Sequence, residues 1–253
     1  MVSPSPWLLG YVALVGAVIG SFGNVLILRI PEGESIGGHS ACPRCHHRIQ
    51  WFDLIPVLSY VLLRGKCRHC GRRISPQYPL VEAATAASFV LAASVAPTLV
   101  SGIALALALW LLLLLAMIDA RTGTVPDVLS IPFIVSAIAW HLLAYSLASL
   151  ASLTLAIGGC AGFIGIQWAV SRGRWVGSGD ILLAAGIGAL VKSPVYAILA
   201  LGLSYIVGAL IASVLLSMRQ RTLASELPFG PFLAIGGFSI FLWGDEIARF
   251  IGV

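Results

Sequence analysis

From Leu80 onward the chain is almost continuously apolar, interrupted only by single prolines, glycines and charges. No soluble core needs a run of that length. In lipid, every backbone N–H and C=O must be satisfied within the chain, which leaves helices as the natural solution. A separate apolar run spans Trp7–Ile30, and residues 31–79 between the two form the one long polar stretch. Cutting the apolar regions at Pro, Gly and charge gives spans near 7–30, 80–96, 100–118, 128–147, 150–170, 181–191, 195–217 and 231–250. Each can cross about 30 Å of hydrocarbon at about 1.5 Å per residue, except 181–191. That run is a half-span or begins below the membrane surface. Composition agrees: 59% of residues are hydrophobic and 10% charged, against roughly 45–50% and about 25% in soluble domains. A disordered chain, a coiled coil and a disulfide-stapled miniature domain are excluded. The expected fold is an all-α polytopic membrane protein of about eight helices with a small cytoplasmic zinc-binding loop domain. It divides into a first transmembrane helix (1–30), the four-cysteine loop (31–79) and a transmembrane bundle (80–253). The first run carries no preceding Lys or Arg and is too long for a cleaved leader, so it is expected to remain as an anchor.

Charge sets the expected topology. Eight of the 15 Lys and Arg lie between Arg29 and Arg73, which puts that loop in the cytoplasm by the positive-inside rule. Both termini then lie outside. Arg121, Arg172, Arg174, Arg219 and Arg221 also fall on the cytoplasmic side, leaving only Lys192 and Arg249 opposite. A miscount by one span would scatter these charges. The basic loop lacks interleaved aromatic residues, so no nucleic-acid partner is expected.

Four of the five cysteines lie in that loop, as Cys42-Pro-Arg-Cys45 and, 21 residues later, Cys67-Arg-His-Cys70. Two residues between ligands let a tight turn aim both thiolates at one ion, and two such knuckles at this separation match a zinc ribbon. Arg44, Lys66 and Arg68 favour the thiolate form. Four sulfurs close the tetrahedron, so the site is structural and stabilises a loop too small to hold itself by burial. Two disulfides or unpaired thiols are the other readings of the same cysteines, and a cytoplasmic location disfavours the disulfides. Cys160 lies in an apolar run and reads as packing.

Three acidic residues adjoin apolar spans on the cytoplasmic side: Asp119, Asp127 and Asp180. Asp119 ends the third span and Asp180 opens the sixth within Gly177-Ser178-Gly179-Asp180. A carboxylate at that depth marks function. A helix cap for Asp180 and a pairing of Asp119 with Arg121 are the structural alternatives. Gly177 and Gly179 are expected to supply unusual backbone conformation and room for an extended peptide. Two close carboxylates suit aspartic proteolysis: one ionised to activate water, the other protonated to polarise the carbonyl. Asp180 opens a helix and Asp119 closes one, so the dipoles favour the charge on Asp180 and the proton on Asp119.

At this point several segments resemble the type 4 prepilin peptidases. Gly177-Ser178-Gly179-Asp180 resembles the family's G-x-G-D element, and Asp119 through Asp127 resembles the segment with the other catalytic aspartate. Gly20-Ser-Phe-Gly-Asn-Val25, Arg29-Ile-Pro31, Ile55-Pro-Val-Leu-Ser-Tyr60, Tyr78-Pro-Leu-Val-Glu82 and Pro228-Phe-Gly-Pro-Phe232 resemble further family elements. The resemblance implies a multi-pass enzyme of the bacterial inner membrane, with its active site facing the cytoplasm. It implies cleavage of the leader from type IV prepilins and type II secretion pseudopilins, with Asp119 and Asp180 as the catalytic pair. It also implies methylation of the new N-terminus with S-adenosylmethionine. One departure stands out: Ile181-Leu182 replaces the small residue and Lys that commonly follow G-x-G-D, so the pair lacks that cation. A peptidase alone, with the cysteine loop docking substrate, is the nearest alternative. A proton-coupled transporter using the same aspartates is a further one. Asp127 and Glu82 are candidate contacts for a basic leader, and the lipid bilayer is an expected partner.

Overall fold

The structure is a computed structural model that describes residues 4–145, 150–218 and 227–252. Arg219 and Arg221, both used in the charge count, lie outside them, as does the end of the expected 128–147 span. Nine α-helices occur among the described residues: α1 (Pro6–Arg29), the short α2 (Leu58–Leu62), α3 (Gln77–Val95), α4 (Leu99–Thr122), α5 (Asp127–Tyr145), α6 (Leu150–Ser171), α7 (Ser178–Leu190), α8 (Pro194–Ser217) and α9 (Gly230–Ile251). Seven are long and apolar enough to cross a membrane. The eighth apolar helix, α7, has only 13 residues, as its short apolar run foretold. The chain separates into two compact units, Met1–Ala96 and Pro97–Val253.

In the first unit α1 packs along α3. Ser5 caps α1 by accepting the Leu8 N–H at 3.3 Å, and Pro6 supplies a preset helical φ at its start. The contact requires glycine: a Cβ on Gly16 would lie 2.9 Å from Ala86 Cα, and one on Gly20 2.8 Å from Glu82 Cα. Small residues four apart let membrane helices approach closely where hydrophobic attraction contributes little. Asn24, buried in the same seam, donates to the Tyr78 carbonyl at 3.1 Å.

The second unit is built around α4 and α7. Helix α4 begins with a capping box in which Thr98 Oγ1 accepts the Ser101 N–H while Ser101 Oγ accepts the Thr98 N–H. It ends at Gly123, whose left-handed conformation (φ 66°) turns its N–H back to the Asp119 carbonyl at 2.8 Å. Asp119 therefore sits in the last turn of the most buried span of the chain. Helix α7 packs against α4, α5, α6, α8 and α9, and every residue from Leu183 to Val191 is buried. A helix too short to cross the bilayer is tolerated here because protein surrounds it from Leu183 to its C-terminal end.

Candidate functional site

The cysteine loop folds as two copies of one turn. Cys42 donates its N–H to the His47 carbonyl (3.0 Å) and accepts from His46 (2.9 Å); Cys67 donates to Arg72 (2.8 Å) and accepts from Gly71 (2.9 Å). Each turn passes through one left-handed residue just after its second cysteine, His46 (φ 55°) and Gly71 (φ 69°). Each is closed by an antiparallel bridge, Ala41 to Arg48 and Lys66 to Arg73. The four Sγ atoms all lie within 4.8 Å of one another, with Cys42 and Cys70 at 3.9 Å. A tetrahedral ion with Zn–S bonds of about 2.3 Å needs sulfurs about 3.8 Å apart, so the set fits zinc. Backbone N–H groups of Cys45 and Arg44 hold the Cys42 thiol down to about 6. At Cys45 the His47 N–H lowers the value too, but desolvation and the sulfurs of Cys42 and Cys70 push it up to about 11. One thiolate forms readily and makes the others harder to form, a conflict that a bound cation removes. His47 and His69 stack edge to face, with ring centroids 3.8 Å apart. They brace the two turns and are not part of the sulfur cluster.

The loop is anchored to the helices of its own unit. Arg29, at the end of α1, donates to the carbonyls of Ser35 (3.0 Å) and Gly37 (2.6 Å). Glu82 on α3, 7% exposed, accepts the Val57 N–H at 2.7 Å. Val57 has φ 60°, a conformation a β-branched residue adopts only when its surroundings enforce it. Glu82 is one of the enforcing groups. Asp127, in contrast, is exposed at the start of α5.

In the second unit the structure brings Asp119 and Asp180 together at the end of α4 and the start of α7. They are 4% and 6% exposed, and Asp119 feels the charge of Asp180. Each receives one backbone N–H from a glycine: Gly230 donates to Asp119 Oδ2 at 2.7 Å, and Gly177 to Asp180 Oδ2 at 2.8 Å. Asp180 is thus the third helical residue reaching back to the N-cap, half of a capping box. Capping and catalysis are compatible, since a carboxylate has a second oxygen.

The glycines act differently from expectation. Gly177 has ordinary extended backbone (φ −78°, ψ 159°); its part is the N–H. Gly179 leaves room for this chain itself, since a Cβ there would lie 2.7 Å from Val125 Cβ and 2.9 Å from its carbonyl. The glycine that reasoning from the residues left without a role is Gly230. A Cβ on it would meet Asp119 Oδ2 at 2.7 Å. Its flanking prolines, Pro228 and Pro231, were the available signal, since they fix a helix start where an N–H points outward.

A chain of this kind is a helical membrane protein whose second unit has, among its described residues, one pair of buried aspartates. Known proteins make the class specific. The Bacterial Peptidase A24 N-terminal domain matches residues 14–96, and the Type IV leader peptidase family matches residues 106–213. The prepilin leader peptidase/N-methyltransferase of Aeromonas hydrophila is 35% identical, covering 96% of this chain and 94% of its own. The protein of the same name from Pseudomonas aeruginosa is 35% identical over 93% and 90%, and that of Burkholderia pseudomallei 33% over 98% and 90%. No solved structure matches the chain. The chain belongs to the type IV leader peptidase family.

Proposed function

We propose that this chain is a prepilin leader peptidase and N-methyltransferase, and that Asp119 and Asp180 are the catalytic pair for cleavage. The observation that carries the site assignment is the buried pair itself, each member held by a glycine N–H from a helix start. Like charges at close range do not both ionise, so the pair holds one proton between them. The ionised partner takes a proton from water, which attacks the scissile carbonyl. The protonated partner donates to the developing oxyanion. Gly177 and Gly230 hold the two carboxylates in place.

In this reading residues 31–79 form a metal module and the spans within 80–253 carry the peptidase. Cys42, Cys45, Cys67 and Cys70 hold one zinc, which supports the loop and leaves no open position for chemistry. The protein is a multi-pass inner-membrane enzyme acting on prepilins, and pseudopilins are a second substrate class. The distribution of Lys and Arg supports a cytoplasmic active site. Asp127 is the better-exposed candidate contact for a basic leader, with Glu82 the second. S-adenosylmethionine is the methyl donor implied by the family resemblance. The apolar groove between α6 and α8, lined by residues such as Leu155 and Ala197, offers no charged partner for its amino and carboxylate groups, so the donor site lies elsewhere.

The test uses the full chain in proteoliposomes with a prepilin and S-adenosylmethionine, read by mass spectrometry. Loss of the leader and gain of one methyl group on the new N-terminus is the expected product. Asp180→Asn should yield neither. Cleavage without methylation would support the peptidase-only alternative.

A further inference from the structure

Between its two cysteine turns the loop carries an apolar surface that the sulfur cluster does not use. A 3₁₀ turn (Trp51–Leu54) and the short α2 lie there. Trp51 and Leu54, three apart, fall on one side of the 3₁₀ turn. Leu58, Val61 and Leu62 share one face of α2, while Ser59 is buried. These five and Ile55 are all exposed, Trp51 by 77% and Leu62 by 72%. The surface is fixed in place. Ser59 donates to the Phe52 carbonyl at 2.8 Å. Arg68, in the second cysteine turn, donates to both carboxylate oxygens of Asp53 at 2.7 and 2.9 Å and lies over the Phe52 ring. Large apolar side chains held outward in a polar segment mark a contact surface.

Depth and charge together show what covers it. Val57, directly before α2, donates its N–H to Glu82, the sixth residue of α3. Helix α3 has 19 residues, so it needs its full length to cross about 30 Å of hydrocarbon. Glu82 lies about 7.5 Å inside the start of α3 at about 1.5 Å per residue, and Leu80 on the same turn is exposed. The bond therefore holds the start of α2 at the boundary of the hydrocarbon, the level at which interfacial helices lie, about 5–10 Å deep. Between Leu58 and Arg73 there are five basic residues and no acidic one, and Arg64, Lys66, Arg72 and Arg73 are exposed. We infer that residues 51–62 dip into the leaflet on the loop's own side of the bilayer, with Trp51, Leu54, Ile55, Leu58, Val61 and Leu62 among the upper acyl carbons and the basic residues after α2 against anionic phospholipid headgroups. Apolar residues beside Lys and Arg are what such a surface attracts. A basic peptide would meet like charge there. The inference rests on the membrane-spanning fold and not on the peptidase reading.

The test places a photo-crosslinking phenylalanine analogue at Leu62 of the full chain, in vesicles of phosphatidylcholine with phosphatidylglycerol. A second chain carries it at Val135, exposed midway along the membrane-crossing α5. Mass spectrometry identifies what each position captures. Cross-links from Leu62 to phospholipid, as from Val135, support the inference. Cross-links from Leu62 to another part of the chain, to a second copy or to an added prepilin, without lipid, overturn it. So does a Leu62 probe that captures nothing while Val135 captures lipid. The charge is tested in the same chain by combining Arg64→Gln with Lys66→Gln, or by leaving out phosphatidylglycerol. Either change should lower the lipid yield at Leu62 by about threefold or more, since each basic residue adds to the attraction, and leave the yield at Val135 unchanged. An equal yield at Leu62 in all three conditions overturns the assignment to an anionic surface.

Discussion

At Asp119 two helix ends meet, and only one was visible in the sequence. The apolar run ending at Asp119 places it near the negative end of α4, which favours the proton there. The structure adds the Gly230 N–H at 2.7 Å, from the positive end of α9. The two dipoles oppose each other, so helix ends no longer distinguish Asp119 from Asp180, and each carboxylate has one N–H donor. The pair is nearly symmetric, as suits two groups that share a proton. The position of both aspartates was legible because an acid beside a long apolar run is conspicuous. The donor to Asp119 was not, because it lies 111 residues away and a glycine N–H leaves no trace in composition. Gly230→Ala puts a methyl group 2.7 Å from Asp119 Oδ2, too close for the carboxylate to stay where it is. It should lower kcat for prepilin cleavage about a hundredfold, as expected when a reacting group is displaced by about 1 Å, with little change in KM. Circular dichroism should show an unchanged helix content.

At the scale of elements, the helices were legible to within about four residues, because Pro, Gly and charge mark where an apolar run must stop. Thr98, Gly123, Pro194 and Pro231 each stand at or beside a boundary. The cysteine loop was legible as two knuckles, but their equivalence in hydrogen bonding appears only in the fold. His46 fills in one turn the left-handed position that Gly71 fills in the other, and residue type alone conceals the match. The attachment of the loop to α3 was also hidden. Glu82 reads in sequence as a candidate contact for a basic leader, yet it is buried against the strained Val57. Glu82→Ala leaves that N–H without its acceptor, at about 1–3 kcal/mol. Amide hydrogen exchange around Val57 should speed up while exchange in α4 through α9 stays unchanged. Cys45→Ser should abolish the content of about one zinc per chain measured by atomic emission. Limited proteolysis should then cut within 31–79 and spare the long helices.

For the molecule as a whole, composition and charge lead to a polytopic membrane protein, and seven long apolar helices with one short one bear that out. The short helix is also the most functional. It is buried from Leu183 to Leu190, so it can end inside protein without crossing the bilayer. Sequence periodicity cannot reveal such an arrangement, since a helix apolar on every side reads alike in lipid or in protein. The central claim is that the two aspartates act as one catalytic unit, and a mutant cycle tests it most directly. Initial rates of prepilin cleavage should be measured for the native chain, Asp119→Asn, Asp180→Asn and the double mutant, each confirmed as folded and membrane-inserted. Each single change should abolish detectable cleavage, and the double mutant should be no worse than either single, because a shared function is lost only once. A single mutant that keeps substantial cleavage, or losses that multiply in the double mutant, would contradict the pair.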